Sequence, residues 1–276
     1  MRLLGRVLKG IVAGRSGPAA PGPETDRIRT LYLDLLQECL LGTIYQDPAI
    51  DPKRQGIYDP VARERGLDWP SQAHSMIGRK RMQNLRALVE RSLIERIPGD
   101  FIETGVWRGG ACILMRAVLR SYGVSDRRVW VADSFAGLPP PDPERYPADA
   151  GDAHHEFKQL AVSLDEVRSN FARYGLLDEQ VGFLAGWFKD TLPTAPIAAL
   201  ALMRLDGDMY ESTMDALTGL YDRLSPGGFV IVDDYKAAPC RAAVHDFRDR
   251  RGASEDLQAI DQSSVFWKKS LRTADR

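Results

Sequence analysis

The stretch LMRLDGDMYES, residues 202–212, runs an apolar segment into two carboxylates one glycine apart, Asp206 and Asp208. Downstream, GGFVIVDDY (227–235) does the same and ends in Asp233-Asp234. Both read as buried strands, yet carboxylates are rarely buried without a partner. The conflict disappears if the strands belong to an open parallel sheet. There, ligands sit beyond the carboxyl ends of the strands, near the switch in strand order. The acids then stand at the rim of a cleft.

The flanking sequence supports that sheet. DFIETG (100–105), RVWVADS (128–134) and VGFLAG (181–186) read as further strands. Helical patterns follow over 111–122, 163–174, 217–224 and 242–250. Ser163 with Glu166 three residues later has capping-box spacing. Strands alternating with helices predict an α/β fold, a parallel sheet covered on both faces. Two short strands near LQAID and SVFWKK have no helix between them, which predicts a terminal hairpin and one antiparallel strand among seven. Upstream, a helix through LYLDLLQECLL is capped by Thr25 or Asp26, and another covers 76–97, ending at Pro98-Gly99. Residues 43–69 are rich in Asp, Pro, Gly and Arg and read as loop with short turns.

The loop ETGVWRGG follows the first strand. Gly105, Gly109 and Gly110 allow a tight turn and close approach of a ligand to backbone. Their spacing is not GxGxxG, and Glu103 would repel a pyrophosphate, which disfavours a nicotinamide-dependent oxidoreductase. The same acid would attract a sulfonium or an amino group. Asp133 ends the second strand, where an acid accepts both hydroxyls of a ribose; its competing role is to cap the next turn. Asp206, Asp233 and Asp234 are three hard oxygen donors on neighbouring strand ends, and a divalent cation, magnesium first, would offset their repulsion. Pairing with Arg204, Lys236 or Arg241 is the competing explanation. Asp208 could reach a substrate hydroxyl beside the metal, or could simply cap the following helix.

Composition narrows the classes. The 276 residues carry 37 Lys+Arg against 38 Asp+Glu, a net charge of -1 that removes the electrostatic case for nucleic-acid binding. Cys39, Cys112 and Cys240 show no CxxC spacing, so a disulfide framework or zinc site is not expected and a cytoplasmic setting fits. No apolar run is long enough to span a membrane. The start, MRLLGRVLKGIVAGRS, has apolar and basic faces at helical spacing. It can be a surface-seeking membrane helix or, the preferred reading, a frayed or partner-docked terminal helix. GPAAPGP (17–23) is a linker.

Taken together, GDFIETGVWRGGACILMRAVL, VWVADSFAGLPPP, FLAGWFKDTLP, RLDGDMYESTMDAL and GGFVIVDDY resemble the macrocin O-methyltransferase family, from about residue 67 to 268. The resemblance implies a Rossmann-like class I methyltransferase fold with an N-terminal helical extension. It also implies S-adenosylmethionine and Mg2+ as cofactors, and a sugar hydroxyl on a natural product or glycoconjugate as acceptor. It divides the chain into a basic tail and linker (1–24), a helical cap for substrate and oligomerisation (25–98) and the methyltransferase domain (99–276), with a homodimer expected. By the same resemblance Ser75, Met76 and Ile77 line the methionine portion, and Glu103, Gly105, Val106, Trp107 and Arg108 form the glycine-loop wall. Asp133 holds the ribose with Ser134 and Phe135 beside it. Ser163 and Gly186-Trp187-Phe188 frame the adenine, although Trp187 and Phe188 equally suit core packing. Asp206, Asp233 and Asp234 ligate magnesium, with Asp206 also at the cofactor, and Asp208 is the general base.

His74, His154, His155 and His245 sit in loops or helices and read as surface or capping residues rather than bases. Residues 138–162, proline-bearing and charged, read as a mobile cover over the site. Two rival functions keep the fold: methylation of a catechol, and a non-catalytic binding protein. For the basic start, liposome co-sedimentation is the check. The full chain and a truncation beginning at Pro23 are expected to partition equally, and selective loss on truncation would establish the membrane helix.

Overall fold

The computed structural model describes residues 22–271; the basic amphipathic start lies outside the described residues. The sheet has seven strands: β1 (Asp100–Thr104), β2 (Val129–Asp133), β3 (Val181–Ala185), β4 (Leu200–Leu205), β5 (Leu224–Val232), β6 (Gln258–Ala259) and β7 (Val265–Lys268). Their order is β3-β2-β1-β4-β5-β7-β6. Strands β1 to β5 pair in parallel, and β7 alone runs antiparallel to both its neighbours. The terminal hairpin and the single antiparallel strand are as expected, and the order reverses between β1 and β4.

Alternation along the strands sorts the core into two layers. Phe101, Val131, Leu202, Phe229 and Ile231 face one cluster. It is completed by α1 (Pro23–Leu41), α3 (Gly78–Ile94), α4 (Gly110–Ser121) and α5 (Leu164–Arg173). Ile102, Trp130, Met203, Val230 and Val232 face the opposite cluster, completed by α7 (Tyr210–Leu220) and α8 (Ala238–Arg251). Helix α4 is buried from Gly110 through Leu119, as suits an element wedged between the sheet and the N-terminal helices.

Several boundaries differ from expectation, each for a local reason. Helix α1 starts at Pro23 after Gly22, with no side-chain cap, so Thr25 and Asp26 lie inside its first turn. Helix α3 begins at Gly78, because residues 73–77 form a non-helical strap bent at His74 and Ile77. Its Ser75 N–H donates to Leu40 O at 3.0 Å, and its His74 O accepts from Gly110 N at 2.9 Å. Within the expected loop 43–69 lies the short helix α2 (Pro60–Arg65), capped by Asp59. The helix α7 starts seven residues before the expected 217, directly behind the Gly207-Asp208 turn, and a four-residue helix α6 (Phe188–Thr191) follows β3.

His74 donates or accepts through Nδ1 with the Tyr174 hydroxyl at 2.8 Å. Burial, then the charges of Arg173 and Arg108, bring its pKa down from 6.5 to about 4. The neutral ring is favoured in the fold, so the unfolded chain takes up this proton first as acid is added. Stability present above about pH 6.5 is therefore lost as the pH falls toward about 4, and His74→Gln is expected to flatten that limb of a Tm-against-pH curve.

Gly105 closes the switch point with φ +83, and a Cβ there would stand 1.7 Å from the Asp206 carbonyl oxygen. Gly123, with φ +66, has open space around it. Gly105→Ala is expected to cost about 4 kcal/mol or more, and Gly123→Ala only about 1–2 kcal/mol. Urea midpoints of the two variants provide the comparison.

Candidate active site

At the carboxyl ends of β1, β2 and β4 lies a cavity of about 380 Å³. The strap brings Ser75, Met76 and Ile77 to its wall; the glycine loop brings Gly105, Val106 and Trp107. Asp133 and Ser134 come from the end of β2, Gly186, Trp187 and Phe188 from the turn after β3, and Asp206 and Asp208 from the turn after β4. Trp187 is 37% exposed, and with Trp107 gives the cavity aromatic surface.

Asp133 is held by backbone. Val106 N–H donates to its Oδ2 at 2.7 Å and Phe135 N–H to its Oδ1 at 2.8 Å. Burial nonetheless raises its pKa, and a carboxylate has acceptor capacity beyond these two bonds. The same acid therefore shapes the turn and lines the cavity.

Arg204 dominates the electrostatics. It lies opposite Glu103 in the β1–β4 register and is 1% exposed. Its guanidinium bonds Glu103 Oε1, Asp206 Oδ2 at 2.7 Å and Asp233 Oδ1. The other Asp233 oxygen accepts from Arg81 Nη1 at 2.7 Å, and Arg81 Nε donates to Asp261 at 2.8 Å. Glu103 also accepts from Cys112 Sγ at 2.9 Å; burial is the main cause raising its pKa to about 7, although Arg204 opposes it. Pairing with Arg204 thus is real for Asp206 and Asp233, but it does not exhaust the acids. Asp206, Asp233 and Asp234 each present an oxygen within 4.8 Å of the others. Asp234 is pushed well above the carboxylate range by burial and then by Asp208 and Asp206.

Asp208 adopts a left-handed conformation, φ 58, and its N–H donates to Asp234 Oδ2 at 3.1 Å. Burial, with the charge of Asp206, raises its pKa to about 7. It does not cap α7: the N-cap position is Met209, without a side-chain bond. Trp107 (φ 48) and Phe135 (φ 55) are left-handed too, so three of the five such non-glycine residues among the described residues cluster at these strand ends. Backbone of this kind costs roughly 1–3 kcal/mol per residue and concentrates at functional sites.

Five sequence-derived candidates do not line the cavity. Arg108 Nη1 donates to Pro70 O and Ala73 O, each at 3.0 Å, supporting the strap from behind. Phe135 packs against Phe183. Ser163 accepts from Glu166 N at 3.2 Å and caps α5, as its spacing predicts. Asp233 and Asp234 also stand behind the wall, beside Asp206.

Sequence reasoning missed other wall residues: Asp142 and Arg145 at the first turn of segment 138–162, Lys189 on α6, and Glu211 and Asp215 on α7. Only the i, i+4 spacing of Glu211 and Asp215 was a signal. His154 is not merely a surface residue. Its Nδ1 bonds Asp152 at 2.7 Å; burial pulls its pKa down, but Asp208 and Asp152 outweigh burial and leave it raised.

Known proteins carry the same organisation. Residues 29–269 match the family described as Macrocin-O-methyltransferase (TylF). The chain is 54% identical over 255 residues to the 8-demethyl-8-(2,3-dimethoxy-alpha-L-rhamnosyl)-tetracenomycin-C 4'-O-methyltransferase of Streptomyces olivaceus, covering 91% of this chain and 97% of that protein. It is 52% identical over 252 residues to the demethyldecarbamoylnovobiocin O-methyltransferase of Streptomyces niveus, covering 90% and 96% respectively. The solved structure of the O-methyltransferase NovP superposes with a TM-score of 0.84 at 52% identity, over 88% of this chain and 99% of that one. The chain belongs to the macrocin O-methyltransferase family and is an O-methyltransferase.

Proposed function

We propose that the chain transfers the methyl group of S-adenosylmethionine to a sugar hydroxyl of a glycosylated natural product, with magnesium bound and Asp208 as general base. The observation that carries this reading is the gathering of Asp206, Asp233 and Asp234 within 4.8 Å, next to a cavity that Asp208 shares with the glycine loop. Family membership supports O-methyl transfer, and one relative is named for a rhamnosyl-bearing acceptor.

The residues fit a hard dication. Glu103, Asp206, Asp208, Asp233 and Asp234 face two guanidiniums, Arg204 and Arg81, and Arg81 is shared with Asp261. Burial first, and neighbouring carboxylates after it, push the pKa values of Asp208 and Asp234 up. Asp206, Asp233 and Asp234 would hold the ion, and oxygen-only donors suit magnesium. Bound there, magnesium supplies Lewis-acid polarisation of an acceptor oxygen, and S-adenosylmethionine supplies an electrophilic methyl group.

The chain's own residues do the rest. Asp133 would accept from the ribose hydroxyls with Ser134 beside it, while Ser75, Met76 and Ile77 would line the methionine portion. Glu103, Gly105, Val106, Trp107 and Asp206 would complete that wall, and Gly186, Trp187 and Phe188 would frame the adenine. Arg108, Phe135 and Ser163 support these walls indirectly. Asp208, freed from helix capping, would accept the acceptor's hydroxyl proton at a carboxylate oxygen as that oxygen bonds the methyl carbon, the carbon–sulfur bond breaks and S-adenosylhomocysteine leaves. Holding the two reactants in line within this cavity would supply much of the acceleration.

Asp208→Asn is expected to slow turnover by about two to four orders of magnitude while calorimetry finds S-adenosylhomocysteine binding unchanged. A near-normal rate would refute the base assignment. EDTA should abolish methylation of a glycoside panel by labelled cofactor, and added Mg2+ should restore it. Asp234→Asn should raise the magnesium requirement without loss of stability. Asp233→Asn should also destabilise the fold by about 3–5 kcal/mol, because it leaves Arg81 and Arg204 under-paired. Full activity in EDTA would dispose of the metal.

A further inference from the structure

Asp208 leaves no cap for the helix that follows it, yet the helix is capped. Tyr210 N–H donates to Asp149 Oδ1 at 2.6 Å, and Glu211 N–H to Asp149 Oδ2 at 3.0 Å. Asp149 lies 61 residues before Tyr210, in the segment 138–162, and is 1% exposed. A buried carboxylate with both oxygens on a helix N-terminus is a charge-assisted contact, favoured further by the helix dipole.

The contact joins two walls of the cavity. On one side, Asp142 and Arg145 line the cavity a few residues before Asp149, and the Tyr146 ring lies 6.0 Å from that of Tyr210. On the other, Asp208 sits two residues ahead of the capped amide, in a turn closed by Met209 N–H on Gly207 O at 2.6 Å. Farther along the segment, Gln159 O accepts from Trp107 Nε1 at 2.9 Å, pinning the same stretch to the glycine loop. A stretch that reads as a free cover in sequence is thus bolted at two places, and one bolt bears on the turn that presents Asp208.

We propose that Asp149 is a positioning residue for methyl transfer, locking the wall of residues 142–149 and the Asp208 turn into one unit. The inference rests on the reading of Asp208 as the base. With the carboxylate removed, the first turn of α7 loses its cap, the left-handed Asp208 loses its downstream anchor, and the acceptor wall moves independently of it. The cofactor wall, built from the strap, the glycine loop and Asp133, is untouched.

The test uses the full chain with Asp149→Ala, Asp149→Asn and, as a control, Asp59→Ala, which removes a comparable two-amide cap from α2 (2.9 and 3.1 Å) away from the cavity. Demethyldecarbamoylnovobiocin and 8-demethyl-8-(2,3-dimethoxy-alpha-L-rhamnosyl)-tetracenomycin-C serve as acceptor probes. Asp149→Ala is expected to lower kcat about 100-fold and to raise the acceptor KM, with S-adenosylhomocysteine affinity within about twofold of the parent. Asp149→Asn keeps one acceptor oxygen and recovers part of kcat. Asp59→Ala loses stability and keeps kcat. In parallel, hydrogen exchange should quicken in 142–149 and 207–211 together in Asp149→Ala, and in neither for Asp59→Ala. An Asp149→Ala enzyme that loses only stability overturns the proposal. If the parent chain methylates neither probe, the sugar reading falls, and concerted or independent exchange of the two segments decides the role of Asp149.

Discussion

A single guanidinium, that of Arg204, makes the carboxyl end of this sheet possible. Three strands, β1, β4 and β5, bring Glu103, Asp206 and Asp233 to the same side, where like charges in a low-dielectric layer would repel strongly. Arg204, fully buried on the central strand of the three, binds all of them. Arg81 reaches down from α3 to the remaining Asp233 oxygen. Such buried networks contribute less to net stability than to uniqueness, since removing one member leaves the others desolvated and unpaired. Here the network fixes where the acids stand before any ligand arrives, which is what preorganised electrostatics requires.

The two core layers divide the labour around that network. The layer carrying α1, α3, α4 and α5 holds Arg81, Cys112 and the strap, and so supports the strap side of the cavity. The opposite layer carries α7 and α8, the helices that follow the Asp208 and Asp234 turns. The switch point between β1 and β4 is where the layers' loops diverge and a cavity opens. Gly105 sits at that point because a side chain would collide with the Asp206 carbonyl. The fold and the site therefore share one steric condition.

Most of the fold was legible in the sequence because its signals are local. Apolar runs ended by acids located β4 and β5, Ser163 with Glu166 located the start of α5, and the helix-free tail revealed the antiparallel strand. What was not legible depends on distance along the chain. Arg81 and Asp233 are 152 residues apart, and Asp149 and Tyr210 are 61 apart. No periodicity in either segment announces such pairs. Helix α2 escaped because six residues between prolines and charges give no usable period. Arg108, Phe135 and Ser163 sit in the right motifs, but a motif does not say which way a side chain leaves the backbone.

Under the proposed role of Asp208 as general base, its left-handed backbone puts durability and turnover at odds. Glycine is at ease with a positive φ, and it would also withdraw a carboxylate that its surroundings hold partly against ionisation. Heat-tolerance screening of random variants would therefore reward replacement of this aspartate, enriching sturdier and idle proteins. A selection that scores survival alone would drift away from catalysis at this one position, and only a screen that also counts methylated product would retain it.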